Sequence, residues 1–147
     1  MIYKTLIKLI PALLLAACVT TTPPTPNGLT AEERGILSTH MVNLSSAVDT
    51  YFADLPGAPT DSDAIILQKS TQHDSRLLAP KFDHYVLKVQ YQNPYAVLLL
   101  CSKDEKTAIM EDAGCSARLD RQVTHVAPCE FTLRVSQGCH VEGADPQ

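Results

Sequence analysis

An α+β fold follows from three observations. Apolar residues at helical spacing occupy the first part of the chain, alternating and continuous apolar runs suited to strands occupy the later part, and four cysteines in that later part make an even set. The architecture expected is an N-terminal amphipathic helix with a short second helix, packed on a small antiparallel sheet of about four strands and braced by two disulfides. Because the helices precede the strands, the long helix is expected to cover one face of the sheet.

The first helix is signalled by Thr30-Ala31-Glu32-Glu33, a capping box in which the Thr30 hydroxyl and the Glu33 carboxylate satisfy two backbone donors otherwise left unpaired. Leu37, Met41, Leu44, Val48, Tyr51 and Leu55 then recur at alternating steps of four and three, which places them on one face, and Pro56-Gly57 ends the run. The stripe is expected to pack on the domain's own core. The spacing is also heptad-like, so Leu37, Met41, Leu44, Val48 and Tyr51 are the candidate interaction face as well. Thr60-Asp61-Ser62-Asp63 can cap a short helix through Ala64-Ile65-Ile66-Leu67, and Leu77-Leu78-Ala79 is stopped by Pro80.

After Pro80 the period becomes two. Tyr85, Leu87, Val89 and Tyr91 alternate with Val86, Lys88, Gln90 and Gln92, as a half-buried strand does. Asn93-Pro94 supplies the turn, and Tyr95 to Leu100 follows as a continuous apolar run, the mark of a central strand. Lys103-Asp104-Glu105-Lys106 turns the chain into a third strand beginning Thr107-Ala108-Ile109-Met110. Phe131, Leu133 and Val135, alternating with Glu130, Thr132 and Arg134, predict a fourth strand and hence an antiparallel meander.

Residues 1–28 stand apart from this pattern. Met1 to Lys8 carries Lys4 and Lys8 with no acid, and the apolar run Leu9 to Leu15 that follows is too short for a bilayer span, which needs about 20 residues. The run closes on Leu15-Ala16-Ala17-Cys18, which resembles the lipobox of bacterial lipoproteins, where small residues precede an invariant cysteine. The resemblance covers residues 1–18. It implies a signal peptide of residues 1–17 cut after Ala17, a diacylglyceryl group on the Cys18 sulfur, and acylation of the new amino terminus. Two or three acyl chains, at about 0.8 kcal/mol per buried methylene, anchor firmly where one binds reversibly, so a membrane is the first partner expected. Val19, where retention at the inner membrane favours Asp, implies by resemblance to sorting in this class the outer membrane of a Gram-negative cell, with the domain facing the periplasm. Residues 18–28 then form a tether, rich in Thr and Pro from Thr20 to Gly28, that at about 3.1 Å per residue holds the domain up to roughly 30 Å from the lipid. Residues 29–147 suit a single globular domain.

Cys101, Cys115, Cys129 and Cys139 in an exported chain predict two disulfides. Three connectivities are open. In a hairpin centred on Asp104-Glu105, Cys101 lies opposite Ala108, and Cys115 falls about 23 Å further along, beyond the ~7 Å Cα limit for a bridge. Pairing Cys101 with Cys115 is disfavoured on that ground. The nested pattern, Cys115 with Cys129 and Cys101 with Cys139, fits strands that pair residues 107–113 against 129–135.

The chemical signals are few. No P-loop, dinucleotide-binding glycine pattern, Gly-x-Ser-x-Gly elbow, His-Glu-x-x-His or Cys-x-x-Cys occurs in the chain. His125, Cys129, Cys139 and His140 could supply a tetrahedral zinc site, but an oxidising compartment favours disulfides, so neither a metal nor another cofactor is expected. His40, Ser45, Ser46 and Asp49 lie on or near the first helix and read as solvated. Asp104, Glu105, Glu111 and Asp112 read as a turn and a strand end at the solvent boundary. Loss of Lys4 and Lys8 with the leader leaves ten basic residues against sixteen acidic, a formal charge of −6, which excludes a nucleic-acid partner on electrostatic grounds. The expectation is a non-enzymatic outer-membrane lipoprotein whose domain is a protein-interaction or assembly-accessory module with an envelope protein as partner. The alternative is an inhibitor or ligand-binding lipoprotein, similar in role to the periplasmic lysozyme inhibitors, from whose mostly β folds the long helix departs.

Overall fold

In the computed structural model, which describes residues 28–143, helix α1 spans Ala31–Ala53. The capping box forms as the sequence predicts: Glu33 N–H donates to Thr30 Oγ1 at 3.2 Å, and Thr30 N–H donates to the Glu33 carboxylate at 2.8 Å. Leu37, Met41, Leu44, Ser45, Val48 and Phe52 are its buried residues. Phe52 takes the place expected of Tyr51 because a straight helix turns every 3.6 residues and drifts off a 3.5-residue seam. Its ring meets Tyr91 edge-on, with centroids 5.2 Å apart and planes at 86°. Tyr51 and Leu55 flank the core, half-buried. Helix α2, Asp63–Ser70, buries Ile66 and Leu67, and a single 3₁₀ turn, Ser75–Leu77, leads to Pro80.

The main sheet has the order β1-β2-β3-β4 and is antiparallel throughout. β1, Tyr85–Gln92, and β2, Tyr95–Ser102, pair from Gln92↔Tyr95 to Tyr85↔Ser102 around the Asn93-Pro94 turn. β3, Ala108–Ala113, pairs with β2 and places Cys101 opposite Ala108, with a bulge between Leu100 and Cys101. β2 is buried on both faces. Ala96, Leu98 and Leu100 pack with the α1 stripe, while Val97, Leu99 and Cys101 pack with the C-terminal segment through Val123, Ala127, Cys129 and Leu133. The domain thus has three layers: helices, sheet, and an irregular C-terminal cover. Among the described residues no helix is long and apolar enough to cross a membrane.

The fourth strand departs from the sequence expectation. β4 is Arg121–Gln122, which pairs Met110↔Gln122 and Glu111↔Arg121. Phe131 and Leu133 lie over the far face of the sheet and are not part of its edge, while β5, Arg134–Ser136, pairs with β6, His140–Glu142, as a separate ribbon. Alternating apolar residues require one side of a segment to be buried, and a segment laid across a sheet face meets that requirement as well as one added to its edge.

The nested disulfide pattern is corrected along with that strand. Cys101 bonds Cys129 and Cys115 bonds Cys139, with Cα separations of 5.7 and 5.8 Å, an interleaved connectivity. An isolated bridge between Thr107 and Pro128 and the bond from Cys129 N–H to the Lys106 carbonyl at 3.3 Å deliver Cys129 to the turn end of β3, next to Cys101. The β5–β6 ribbon carries Cys139 to the opposite end of β3, near Cys115.

Candidate functional site

The α1 stripe is the first candidate to test against the fold. Leu37, Met41, Leu44 and Val48 are all in the core against β2 and β3, and Tyr51 is packed beside them, so that face is closed to any partner by the domain's own sheet. The stripe therefore packs on the domain's own core, as the sequence leads one to expect, and does not stand free as the alternative interaction face. The physical reason is that β2 carries a continuous apolar run whose helix-side residues, Ala96, Leu98 and Leu100, need a cover.

Two of the four acids expected at the solvent boundary are interior instead. Glu111 and Asp112 are completely buried, and each closes a polar network. Glu111, on the far face, accepts from Thr132 N–H at 2.8 Å, Leu133 N–H at 2.9 Å, Thr132 Oγ1 at 2.8 Å and the Arg121 guanidinium at 3.2 Å. It therefore does for Thr132 and Leu133 what a neighbouring strand does elsewhere: it satisfies backbone donors that no ladder reaches. Gln92 repeats the device, donating to the Leu133 carbonyl at 3.1 Å and accepting from Val135 N–H at 2.7 Å. Arg121, itself buried, has its charge balanced by Glu111.

Asp112, on the helix side, accepts from the Ser45 hydroxyl and, at 3.1 Å, from Asp120 N–H, while Asp120 accepts from Ala113 N–H at 2.9 Å. Burial pushes the Asp112 carboxyl up to about 7, with the charge of Asp120 adding to the effect and the Ser45 hydrogen bond opposing it. Asp49, one turn along α1 from Ser45, accepts from Ala96 N–H at 2.8 Å and is raised by burial against the pull of that bond. Ser45 and Asp49 are thus ties from α1 to the sheet, not solvated helix-face residues. Gly114 lets the helix come this close: a Cβ there would stand 2.2 Å from the Ser45 carbonyl oxygen and 2.5 Å from Asp49 Cβ. Ser46 is exposed, as the sequence suggests, and His40, half-exposed, is lowered by partial burial and then by the charge of Lys81.

These carboxylates and hydroxyls hold layers together, and among them Ser45, Glu111 and Asp112 are wholly buried. Ser45 Oγ has no exposure through which a carbonyl carbon could approach it. The residues of the zinc reading are separated: Cys129 and Cys139 are spent in different disulfides, while His125 and His140 are exposed, the latter 3.9 Å from Glu142. Asp104 and Glu105 do lie in the turn; Asp104 accepts from Ser102 Oγ at 2.7 Å and Lys106 N–H at 3.3 Å, which lowers it, and Glu105 pairs with Lys88 at 3.2 Å. Shallow depressions flank the α1–α2 loop, one of about 360 Å³ lined by Tyr51, Leu55, Asp61 and Lys69. Cys18 lies outside the described residues.

One feature of the surface has a built support. Thr124, His125 and Val126 are exposed between buried Val123 and Ala127, and Val126 is 72 % exposed, above the other large exposed apolar residues, Ile36 at 52 % and Ile65 at 42 %. The loop is pinned at both ends: Val123 N–H donates to the Ile109 carbonyl at 3.0 Å and Ala108 N–H to the Ala127 carbonyl at 2.9 Å. Val123 and Ala127 also share a cluster with the Cys101–Cys129 bridge. No sequence period marks this loop, since its support comes from the disulfide that closes beneath it. Comparison with family models, with curated proteins and with solved structures finds no match for the chain.

Proposed function

We propose that this chain is a lipid-anchored protein of the bacterial envelope, held to the outer membrane through Cys18 and facing the periplasm, whose domain is a non-enzymatic module that engages another envelope protein through the Thr124–Val126 loop. The pinned, exposed loop carries this reading. A short loop whose backbone is held at both ends loses less conformational entropy on binding than a free one, which favours its exposed Val126 as a contact residue. The buried placement of Ser45, Glu111 and Asp112 supports a non-catalytic role, because the groups best suited to chemistry are committed to holding the layers together.

Two measurements test it. Fatty-acid labelling is expected for the native chain and lost in Cys18→Ser; equal label in both removes the anchor. A photo-crosslinking residue at position 126 is expected to give one discrete envelope-protein adduct that is absent with the same residue at exposed Glu130. An adduct with a soluble hydrolase supports the inhibitor reading, and equal or absent crosslinking from both positions overturns the loop as the contact.

A further inference from the structure

The interleaved bridges do not follow from the order of the cysteines. Every pairing of sequence neighbours is non-native: Cys101 with Cys115, Cys115 with Cys129, and Cys129 with Cys139. Those pairs close loops of fourteen, fourteen and ten residues, whereas the native bridges close loops of 28 and 24. Loop-closure entropy favours each short loop over a native one by about threefold in the open chain. Delivery of the chain amino terminus first adds to this, because Cys101 meets Cys115 before Cys129 has arrived. The contacts that direct the native pairing, Thr107↔Pro128 and Cys129 N–H to the Lys106 carbonyl, exist only after residues 127–129 have docked on a formed β2–β3 hairpin. A two-stranded hairpin without its covers is marginal in water.

An early Cys101–Cys115 bridge becomes a trap when the remaining two cysteines close on each other. It holds together two positions that β3 must separate, and once Cys129 and Cys139 have also paired, none of the four has a thiolate left to begin exchange. This step rests on the lipoprotein reading above, in which Cys18 is a thioether and supplies no thiol either.

We infer that the chain is a substrate of a thiol–disulfide isomerase in its compartment, acting on the mispaired, uncovered domain after a dithiol oxidase has taken two electrons per bridge. The isomerase thiolate attacks the Cys101 sulfur, forms a mixed disulfide there and expels the Cys115 thiolate. Cys115 attacks the Cys139 sulfur and expels Cys129. Cys129 attacks Cys101 in the mixed disulfide and returns the isomerase thiolate. Two disulfides enter and two leave, with no net electron transfer. The mispaired chain exposes Val97, Leu99, Phe131 and Leu133, which the native cover buries wholly or in part, and this apolar surface marks it for the isomerase. In the native domain Cys101 is wholly buried and Cys129 nearly so, which ends access to that bridge.

The full chain, expressed with its leader in bacterial cells that have or lack the isomerase while retaining the oxidase, tests this by peptide mapping without reductant. Native Cys101–Cys129 and Cys115–Cys139 linkages are expected in the first strain. In the second, most of the chain is expected to carry neighbour bridges or to be degraded. An isomerase variant without its resolving cysteine is expected to trap a mixed disulfide with the chain. The double variant Cys115→Ser, Cys139→Ser, left with one native pair, is expected to bridge Cys101 to Cys129 equally in both strains. Native bridges at unchanged yield in cells lacking the isomerase overturn the inference while leaving the export reading intact. Free thiols at all four positions in both strains overturn the two together.

Discussion

Glu111 shows how much of the domain rests on single buried side chains. Its carboxylate accepts four hydrogen bonds and has no exposure, so Glu111→Ala leaves the Leu133 N–H and the Arg121 guanidinium buried without their acceptor and strips the Thr132 N–H of its own. Breaking a buried ion pair from one side costs about 3 to 5 kcal/mol, and a urea titration is expected to show a loss of that size. Asp112 makes a different prediction, because its carboxyl is raised by burial to about 7. Its folded value lies above the unfolded one of about 3.9, so between those values the native state binds more proton than the unfolded chain. Stability therefore falls as pH rises from about 4 to about 7 and levels beyond. Thermal melts of the native chain between pH 5 and pH 8 are expected to show a higher melting temperature at the acid end. Asp112→Asn, which stays neutral, flattens the profile.

At the scale of elements, the helix-to-sheet joint combines an apolar seam with two polar ties. Leu44 is the middle of the seam and wholly buried, so Leu44→Asp places a carboxylate among Met41, Val48 and the helix side of β2. Lost burial and desolvation together amount to several kcal/mol, against a typical domain stability of about 5 to 15. The expected result is a collapse of the thermal transition, with Asn43→Asp on the exposed side of the same turn unchanged; an unaltered melt in Leu44→Asp would return the stripe to the role of a binding surface. The polar ties set the helix's position along the sheet. Ser45 reaches Asp112 and Asp49 reaches the backbone of Ala96, and Gly114 leaves the space that both require.

Across the whole molecule the two disulfides divide the work of holding the C-terminal cover. Cys101–Cys129 fastens the cover at the turn end of β3 from inside the core, whereas both sulfurs of Cys115–Cys139 belong to half-buried residues at the other end. Exchange requires access of a thiolate to sulfur, so a graded series of mild reductant is expected to open Cys115–Cys139 first. Alkylation followed by peptide mapping reads the order, and simultaneous labelling of all four cysteines would mean that the domain opens as one unit.

Local chemistry determined the parts that the chain shows in its own residues. The Thr30–Glu33 box, the stripe from Leu37 to Val48, the Asn93-Pro94 hairpin and the placement of Cys101 opposite Ala108 depend on hydrogen bonds and periods within a few turns or one tight loop, and all are legible in the residues. The tertiary structure alone decided which cysteine meets which, whether Phe131 and Leu133 lie on an edge or over a face, and that Glu111 and Asp112 are interior. The reason is the same in each case. A period of two states that one side of a segment is buried, and it carries no information about the direction in which the backbone finds its partners. Where side chains such as Glu111 and Gln92 serve as those partners, a polar residue that local pattern assigns to the surface becomes the one that the interior requires.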